Sequence, residues 1–264
     1  MILVDMSQIM MASIMMQMHM SKKSEPDEEM VRHMILNSLR MYRTRFLSEF
    51  GEMVLCYDSR HYWRRDYFPE YKHSRRKSRG TDDKNWDIIF NCLNTIKEEV
   101  KSNMPYKSVE VYGAEADDVI ATLCSESSNE VMILSGDKDF IQLQKFPNVK
   151  QYSPITKKMI NGMNPDDYLK EHVLKGDTSD GVPNVLSPDN TFVDGIRQRP
   201  LSKKKIATMV EGDFPNDEVK RNYQRNKKLI DLTYSPDELR SEILDTYKSA
   251  PVNDRSKILN YFIK

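Results

Sequence analysis

Val131-Met132-Ile133-Leu134-Ser135-Gly136-Asp137-Lys138-Asp139 is an apolar run that stops at a polar turn holding two carboxylates. A continuous apolar run of this length offers water no polar side, so it predicts a strand buried on both faces. Two other runs share the form: Ile2-Leu3-Val4-Asp5 and Met53-Val54-Leu55-Cys56-Tyr57-Asp58. Each is followed or preceded by a helical pattern. Segment 28–50 (EEMVRHMILNSLRMYRTRFLSEF) is the longest of these. Val109-Glu110-Val111-Tyr112 predicts a further short strand. It leads into Glu115-Ala116-Asp117-Asp118-Val119-Ile120-Ala121, where acidic residues open a helix at its positive end. Strands alternating with helices predict an α/β fold with a mostly parallel central sheet flanked by helices. In such sheets ligands gather outside the carboxyl ends of the strands. Asp5, Asp58 and Asp137 are therefore expected to converge on one crevice.

Composition narrows the class. The chain has 264 residues, enough for one domain with a sizeable core or a domain plus a small helical lobe. Forty basic and forty acidic residues cancel, but the signs are not evenly mixed along the chain. Three cysteines, Cys56, Cys92 and Cys124, form no CxxC pair and are odd in number. They argue against a disulfide framework or a structural zinc site and for a reducing, cytoplasmic setting. Eight methionines fall in the first twenty residues. Asp5 interrupts that apolar run early, and no basic n-region or small-residue cleavage site accompanies it. A short strand and an amphipathic, Met-rich core helix are expected there, methionine being a flexible core filler. No stretch approaches the roughly 18–20 apolar residues that span a bilayer.

The acidic residues form an ordered set: Asp5; Asp58; Glu115, Asp117 and Asp118; Asp137 and Asp139; Asp177 and Asp180. Any one could be a turn or cap residue. Together, after three buried-strand patterns, they predict a cluster that would repel itself unless divalent cations compensate it. Oxygen-only ligands select hard ions, magnesium or manganese, over zinc. This suits hydrolysis of a phosphodiester with two ions about 3.5–4 Å apart. Asp117 and Asp137 are the carboxylates expected to matter most for catalysis. The five histidines are scattered, and none falls in a nucleophile–base or zinc pattern.

Residues 60–79, RHYWRRDYFPEYKHSRRKSR, carry eight Lys or Arg and only two acids, Asp66 and Glu70. Tyr62, Trp63, Tyr67, Phe68 and Tyr71 are interleaved with the charges. Phosphates meet such charge and bases stack on such rings, as in single-strand binding. The segment follows Asp58, so it is expected to stand over the acidic site. Tyr62 and Trp63, nearest the sheet, are equally suited to the core. A second basic group, Lys203, Lys204 and Lys205, follows Arg197 and Arg199 at a predicted helix start. Gripping a duplex backbone and lying on an ordinary solvated face are both open to it.

These residues resemble the flap endonuclease/5′-to-3′ exonuclease family, and within it the ribonuclease H branch of T-even bacteriophages. The resemblance runs through LVDMSQ (3–8), VRHMILNSL (31–39), LCYDSRHYWRRD (55–66), AEADDVIA (114–121), SGDKDF (135–140), FPNVKQYSP (146–154) and LKGDTSD (174–180). It implies a PIN-like 5′ nuclease fold with a helical arch above the active site. Residues 1–160 would be the catalytic domain, with the basic arch at 60–84. Residues 161–264 would be a smaller, irregular helix-hairpin-helix-like region for duplex binding. The resemblance also implies two carboxylate clusters for magnesium ions, manganese substituting. One is Asp5, Asp58, Glu115 and Asp117, with Asp118 beside them; the other is Asp137, Asp139, Asp177 and Asp180.

Tyr71-Lys72-His73-Ser74-Arg75 resembles the family's YKxxR signature, whose Lys and Arg face the scissile phosphate; Lys72 and Arg75 inherit that role. Nucleic-acid contacts are expected from Arg64, Arg65, Tyr71, Lys72, Arg75, Arg76, Lys77, Arg79 and Lys203–Lys205. After Gly176-Asp177-Thr178-Ser179-Asp180, most members have a compact Gly-rich hairpin. Here an extended loop runs on to Gly195-Ile196. The implied function is a phage-type nuclease acting in DNA replication. It would remove RNA primers by 5′-3′ exonuclease, flap endonuclease and ribonuclease H activity, on DNA and RNA·DNA hybrids with 5′ ends or flaps. A single-strand-binding protein or a sliding clamp is a partner by resemblance only, and a monomer is the default. Two alternatives stand beside it: a PIN-type single-strand ribonuclease, and a non-catalytic nucleic-acid-binding protein with a decayed site.

Overall fold

A computed structural model describes the chain apart from residues 81, 83, 255 and 264 and the side chains of 76–78, 259–260 and 262–263. Six strands form one sheet in the order β3-β2-β1-β4-β5-β6. They are β1 (Ile2–Asp5), β2 (Met53–Cys56), β3 (Lys107–Val109), β4 (Val131–Leu134), β5 (Val149–Ser153) and β6 (Lys158–Ile160). All neighbours pair in parallel except β6, which is antiparallel to β5. The chain order reverses direction across β1 and β4, and that is where an open α/β sheet leaves a crevice.

The apolar runs are strands because both faces of the sheet are covered. Side chains alternate along a strand. Ile2, Val4, Met53, Leu55, Met132 and Leu134 therefore pack on one face with α1 (Met6–Ser21), α2 (Glu28–Phe50) and α5 (Trp86–Asn103). Leu3, Val54, Cys56, Val131 and Ile133 pack on the other with α6 (Ala116–Glu126) and α10 (Asp237–Ser249). Helix α2 begins and ends where the periodicity predicts, with Asp27 capping it through Met30 N. The expected strand at 109–112 is instead β3, ending at Val109. It can pair only along Val54–Cys56, so the chain leaves the sheet afterwards while Val111 stays buried. Helix α1 is apolar on more than its buried face: Met10 and Met18 are in the core, whereas Met16 and Met20 are 57% and 73% exposed. The three cysteines are buried and free.

Two short helices, α3 (Trp63–Tyr67) and α4 (His73–Gly80), occupy the basic segment. After residue 160 come α7 (Pro165–Lys175), α8 (Lys203–Val210), α9 (Asp217–Ile230), α10 and α11 (Ser256–Ile263). Helices α7, α8 and α9 share a small core of Leu174, Val185, Ile206, Met209 and Val219. Helix α10 returns to pack on α6 and β3, and α11 packs on α5. The loop after Asp180 is held by buried polar residues of α9. Asn222 donates to Val185 O, while Arg225 and Asn226 both donate to Pro183 O. No helix among the described residues is long and apolar enough to cross a membrane.

Candidate active site

Asp5 ends β1, Asp58 lies two residues past β2, and Asp137 lies three past β4. Parallel strands in register bring these ends level, and one crevice is lined by Asp5, Asp58, Glu115, Asp117, Asp137, Asp139, Asp177 and Asp180. Lys72, Arg75, Arg65 and Arg79 line the same crevice from the basic segment. The turn that carries Asp137 needs a glycine before it. A Cβ at Gly136 would lie 2.8 Å from Ser153 Oγ, and its N–H donates to Gln8 Oε1 at 2.6 Å.

The floor is held rigidly. Asp5 accepts from Gln8 N and Ser135 Oγ. Asp58 accepts from Ser7 Oγ and from Ala116 N, the first residue of α6. Asp177 accepts from Ser179 N and Asp180 N. Asp117 accepts no hydrogen bond among the described residues. Burial, with Asp58 next, pushes the Asp5 carboxyl from 3.8 up to about 7. Burial and then Asp137 raise Asp117 well above its ordinary value, and burial and then Asp137 and Asp177 do the same for Asp139. Burial removes water from these charges, and neighbouring carboxylates repel the rest.

The other side of the site is neutralised from within. Lys72 Nζ donates to Glu115 Oε1 at 2.5 Å and lies 3.6 Å from Asp180 Oδ2. Arg75 bonds the other Asp180 oxygen and donates to Ser179 O. Burial alone would raise Asp180, but Lys72 and Arg75 outweigh it and hold the carboxyl below the usual range. Lys72 sits at φ 57°, in the left-handed region, its N–H donating to Asp180 O at 2.7 Å. That backbone costs a non-glycine residue roughly 1–2 kcal/mol, so the surrounding bonds over-determine it.

Three expected site residues do not face the crevice as ligands or contacts. Asp118 is fully buried. Its Oδ2 accepts from Arg64 Nη1 at 2.8 Å and Glu115 N at 3.0 Å; its Oδ1 accepts from Ser235 Oγ and Trp63 Nε1. With four donors on its two oxygens, it cannot serve a cation. Arg64 is 1% exposed and bridges Glu115 and Asp118, its Nε donating to Leu229 O. It cannot reach nucleic acid. Tyr71 is buried, its hydroxyl donating to Asp180 at 2.7 Å and Glu115 at 3.2 Å, so its ring offers no stacking face. It packs with Phe68, Val173 and Leu229, tying the basic segment to α7 and α9.

Arg65 covers the Tyr62 ring and donates to its hydroxyl. Arg79 lies over Trp86 and Phe90 of α5, docking α4 there. The side chains of Arg76 and Lys77 lie outside the described residues, as do residues 81 and 83 of the expected arch. Lys203, Lys204 and Lys205 are exposed in the first turn of α8. Among the described residues no ion pair engages them, and the positive helix end disfavours them.

One further side chain joins the acidic cluster without belonging to any acidic motif of the sequence. His172, on the last turn of α7, faces Asp139 and Asp177, whose ligand atoms lie with its own within 4.8 Å of one another. The only local hint in the sequence is its place one turn before Gly176-Asp177.

The acidic crevice at the strand ends of a doubly wound sheet, under a basic segment, defines a PIN-like 5′ nuclease fold. The chain belongs to the 5′-3′ exonuclease family: residues 1–173 match the profile "5′-3′ exonuclease, N-terminal resolvase-like domain", and residues 165–264 match "T4 RNase H, C terminal". It is 35% identical to ribonuclease H of Enterobacteria phage T4, over 99% of this chain and 90% of that protein. It is 29% identical to flap endonuclease Xni of Shewanella sp. strain MR-4, over 47% of this chain and 48% of that one. Among solved structures it resembles the bacteriophage T5 flap endonuclease in complex with DNA and metal ions, at TM-score 0.65 and 15% identity, covering 94% of this chain and 99% of that one.

Proposed function

We propose that the chain is a divalent-metal-dependent 5′ nuclease with 5′-3′ exonuclease, flap endonuclease and ribonuclease H activity, acting on DNA and RNA·DNA hybrids to remove RNA primers during replication. The observation that carries this is the single crevice in which eight carboxylates meet Lys72 and Arg75 beneath the basic segment.

The residues fit cations. Among the described residues Asp117 accepts no hydrogen bond and His172 Nε2 is buried without a hydrogen-bond partner, while burial and then the Asp137 charge raise both Asp117 and Asp139. Asp5, Asp58, Glu115 and Asp117 would hold one ion, and Asp137, Asp139, Asp177 and Asp180 another, magnesium being favoured by carboxylate oxygen. Bound ions supply a nucleophilic water and charge at the leaving oxygen. The chain's own residues do the rest. Lys72 and Arg75 present cationic N–H donors to the scissile phosphate; the Arg fork matches its oxygens in two places. Ser7, Ala116 N and Gln8 fix the carboxylates so that no reorganisation is needed at the moment of reaction. Arg65 and Arg79 line the route of the 5′ strand, and Lys203–Lys205 engage the duplex backbone.

Cleavage of a 5′-labelled flap and of an RNA·DNA hybrid, with magnesium and with chelator, tests this directly. Magnesium-dependent products from both are expected, and none from an unstructured RNA. Asp117→Asn or Asp137→Asn abolishes cleavage while largely sparing flap binding. Full activity in either variant would sink the assignment.

A further inference from the structure

His172 is the feature that the carboxylate reading leaves unused. Its Nε2 is buried and has no hydrogen-bond partner among the described residues. It lies 3.6 Å from Asp139 Oδ1 and 3.8 Å from Asp177 Oδ2. Both separations are too long for hydrogen bonds. They are close to the edge of a coordination shell: ligand atoms about 2.1 Å from one ion stand roughly 3.0–3.6 Å apart for angles between 90° and 120°.

The placement is built into the fold. His172 is one turn from the end of α7, and its carbonyl accepts from Gly176 N at 2.9 Å. Gly176, at φ +69°, turns the chain back so that Asp177 faces His172; a Cβ there would strike Val182 O at 2.4 Å. The other ring nitrogen, Nδ1, is 3.1 Å from the Tyr168 hydroxyl, one turn earlier on the same helix. A ligating imidazole commonly donates its second N–H to such an oxygen, which fixes the tautomer and aims the lone pair.

We propose that His172 Nε2 is a nitrogen ligand of the second cation, beside Asp139 and Asp177. This rests on the reading of those two carboxylates as cation ligands. It makes the second position a mixed nitrogen–oxygen site. Imidazole suits zinc, nickel and iron, whereas carboxylate suits magnesium and manganese. The two positions therefore differ in ion preference: the first selects hard ions, magnesium or manganese, while the second also favours cobalt or zinc. The ion choice at the second position is set by a side chain outside the acidic motifs.

The test uses the full chain, freed of metal and titrated with Mn2+. Equilibrium dialysis counts the bound ions, and pulsed electron paramagnetic resonance reads nitrogen coupling to them. Nitrogen coupling to bound Mn2+ is expected in the native chain. It should vanish in His172→Gln, with a loss of affinity at one site of at least the 10–100-fold that removing an outer-shell partner costs. Should His172→Gln fail to fold, the converse variant serves. A chain with His19, His33, His61 and His73 all changed to Gln should keep the coupling. Tight Mn2+ binding without nitrogen coupling, or coupling that survives His172→Gln, would overturn the assignment and leave the carboxylate site standing. No tight Mn2+ binding at all would overturn both.

Discussion

The N-terminus of α6 separates two regions of opposite electrostatic character. On one side, Glu115 and Asp118 share the buried Arg64, and Lys72 and Arg75 hold Glu115 and Asp180. On the other, Asp5, Asp117, Asp137 and Asp139 crowd together with no lysine or arginine bonded to them among the described residues. Asp117 and Asp118 are adjacent in sequence, yet burial is outweighed by Arg64 at Asp118 and reinforced by like charge at Asp117. Most of the acidic set lines one crevice, but its charge is compensated unevenly. Glu115 and Asp180 already meet the chain's own cations there, and Asp118, outside the crevice, is used as structure.

Breaking the neutralised side should have the largest effect on stability. Arg64→Ala leaves the buried Asp118 without its cation and Glu115 with Lys72 alone, and should cost about 3–5 kcal/mol, measured as a shift in urea midpoint. Next is ion binding on the open side. Magnesium at a hundredfold above its dissociation constant should stabilise the chain by about 2.7 kcal/mol. Chelator should remove that gain, and Asp117→Asn should shrink it. A thermal shift unchanged by Asp117→Asn would contradict the division. In the absence of metal the same substitution removes a buried, repelled charge, so it should stabilise the protein.

The pH dependence follows from the raised groups. Asp5 titrates near 3.8 when unfolded and about 7 when folded, so between these values the native state holds more protons. Its contribution to metal-free stability is full below about pH 4 and is lost as pH rises towards 7. Asp117 and Asp139 act with the same sign. Asp118 and Asp180, held low, oppose them at acid pH. Metal-free stability should therefore fall between about pH 5 and 7, and magnesium should reverse the slope, read by denaturation at a series of pH values. The smallest effect is Ser235→Ala, which removes one donor to Asp118 and should cost about 1 kcal/mol with cleavage retained. A loss of cleavage there would show that Asp118 acts on the reaction as well as on the fold.

Much of the fold was legible because its signals are local. Four-residue apolar runs and the 28–50 periodicity each depend on neighbours a few residues away. The convergence of Asp5, Asp58 and Asp137 was also legible, since strand ends of a parallel sheet fall level once the strands are known, whereas Asp177 and Asp180, which follow α7 and line the same crevice, were expected mainly from the family resemblance. Arg64 and Tyr71 were misplaced because they sit within a basic, aromatic run that looks uniform. Nothing in RHYWRRDYFPEYK distinguishes the arginine that turns inward from its neighbour Arg65.

By itself, then, the sequence determined a parallel sheet, an acidic crevice at its strand ends and a basic segment over it. Only the tertiary structure decided which charges meet. Arg64 reaches carboxylates 51 and 54 residues away, Ser235 reaches Asp118 across 117, and His172 comes against Asp139 through the packing of α7 on residues 138–145. The reason is physical. Secondary structure answers to side-chain period and backbone hydrogen bonding within one segment. The state of a carboxylate answers to burial and to charges a few ångströms off, and closure of the fold sets both.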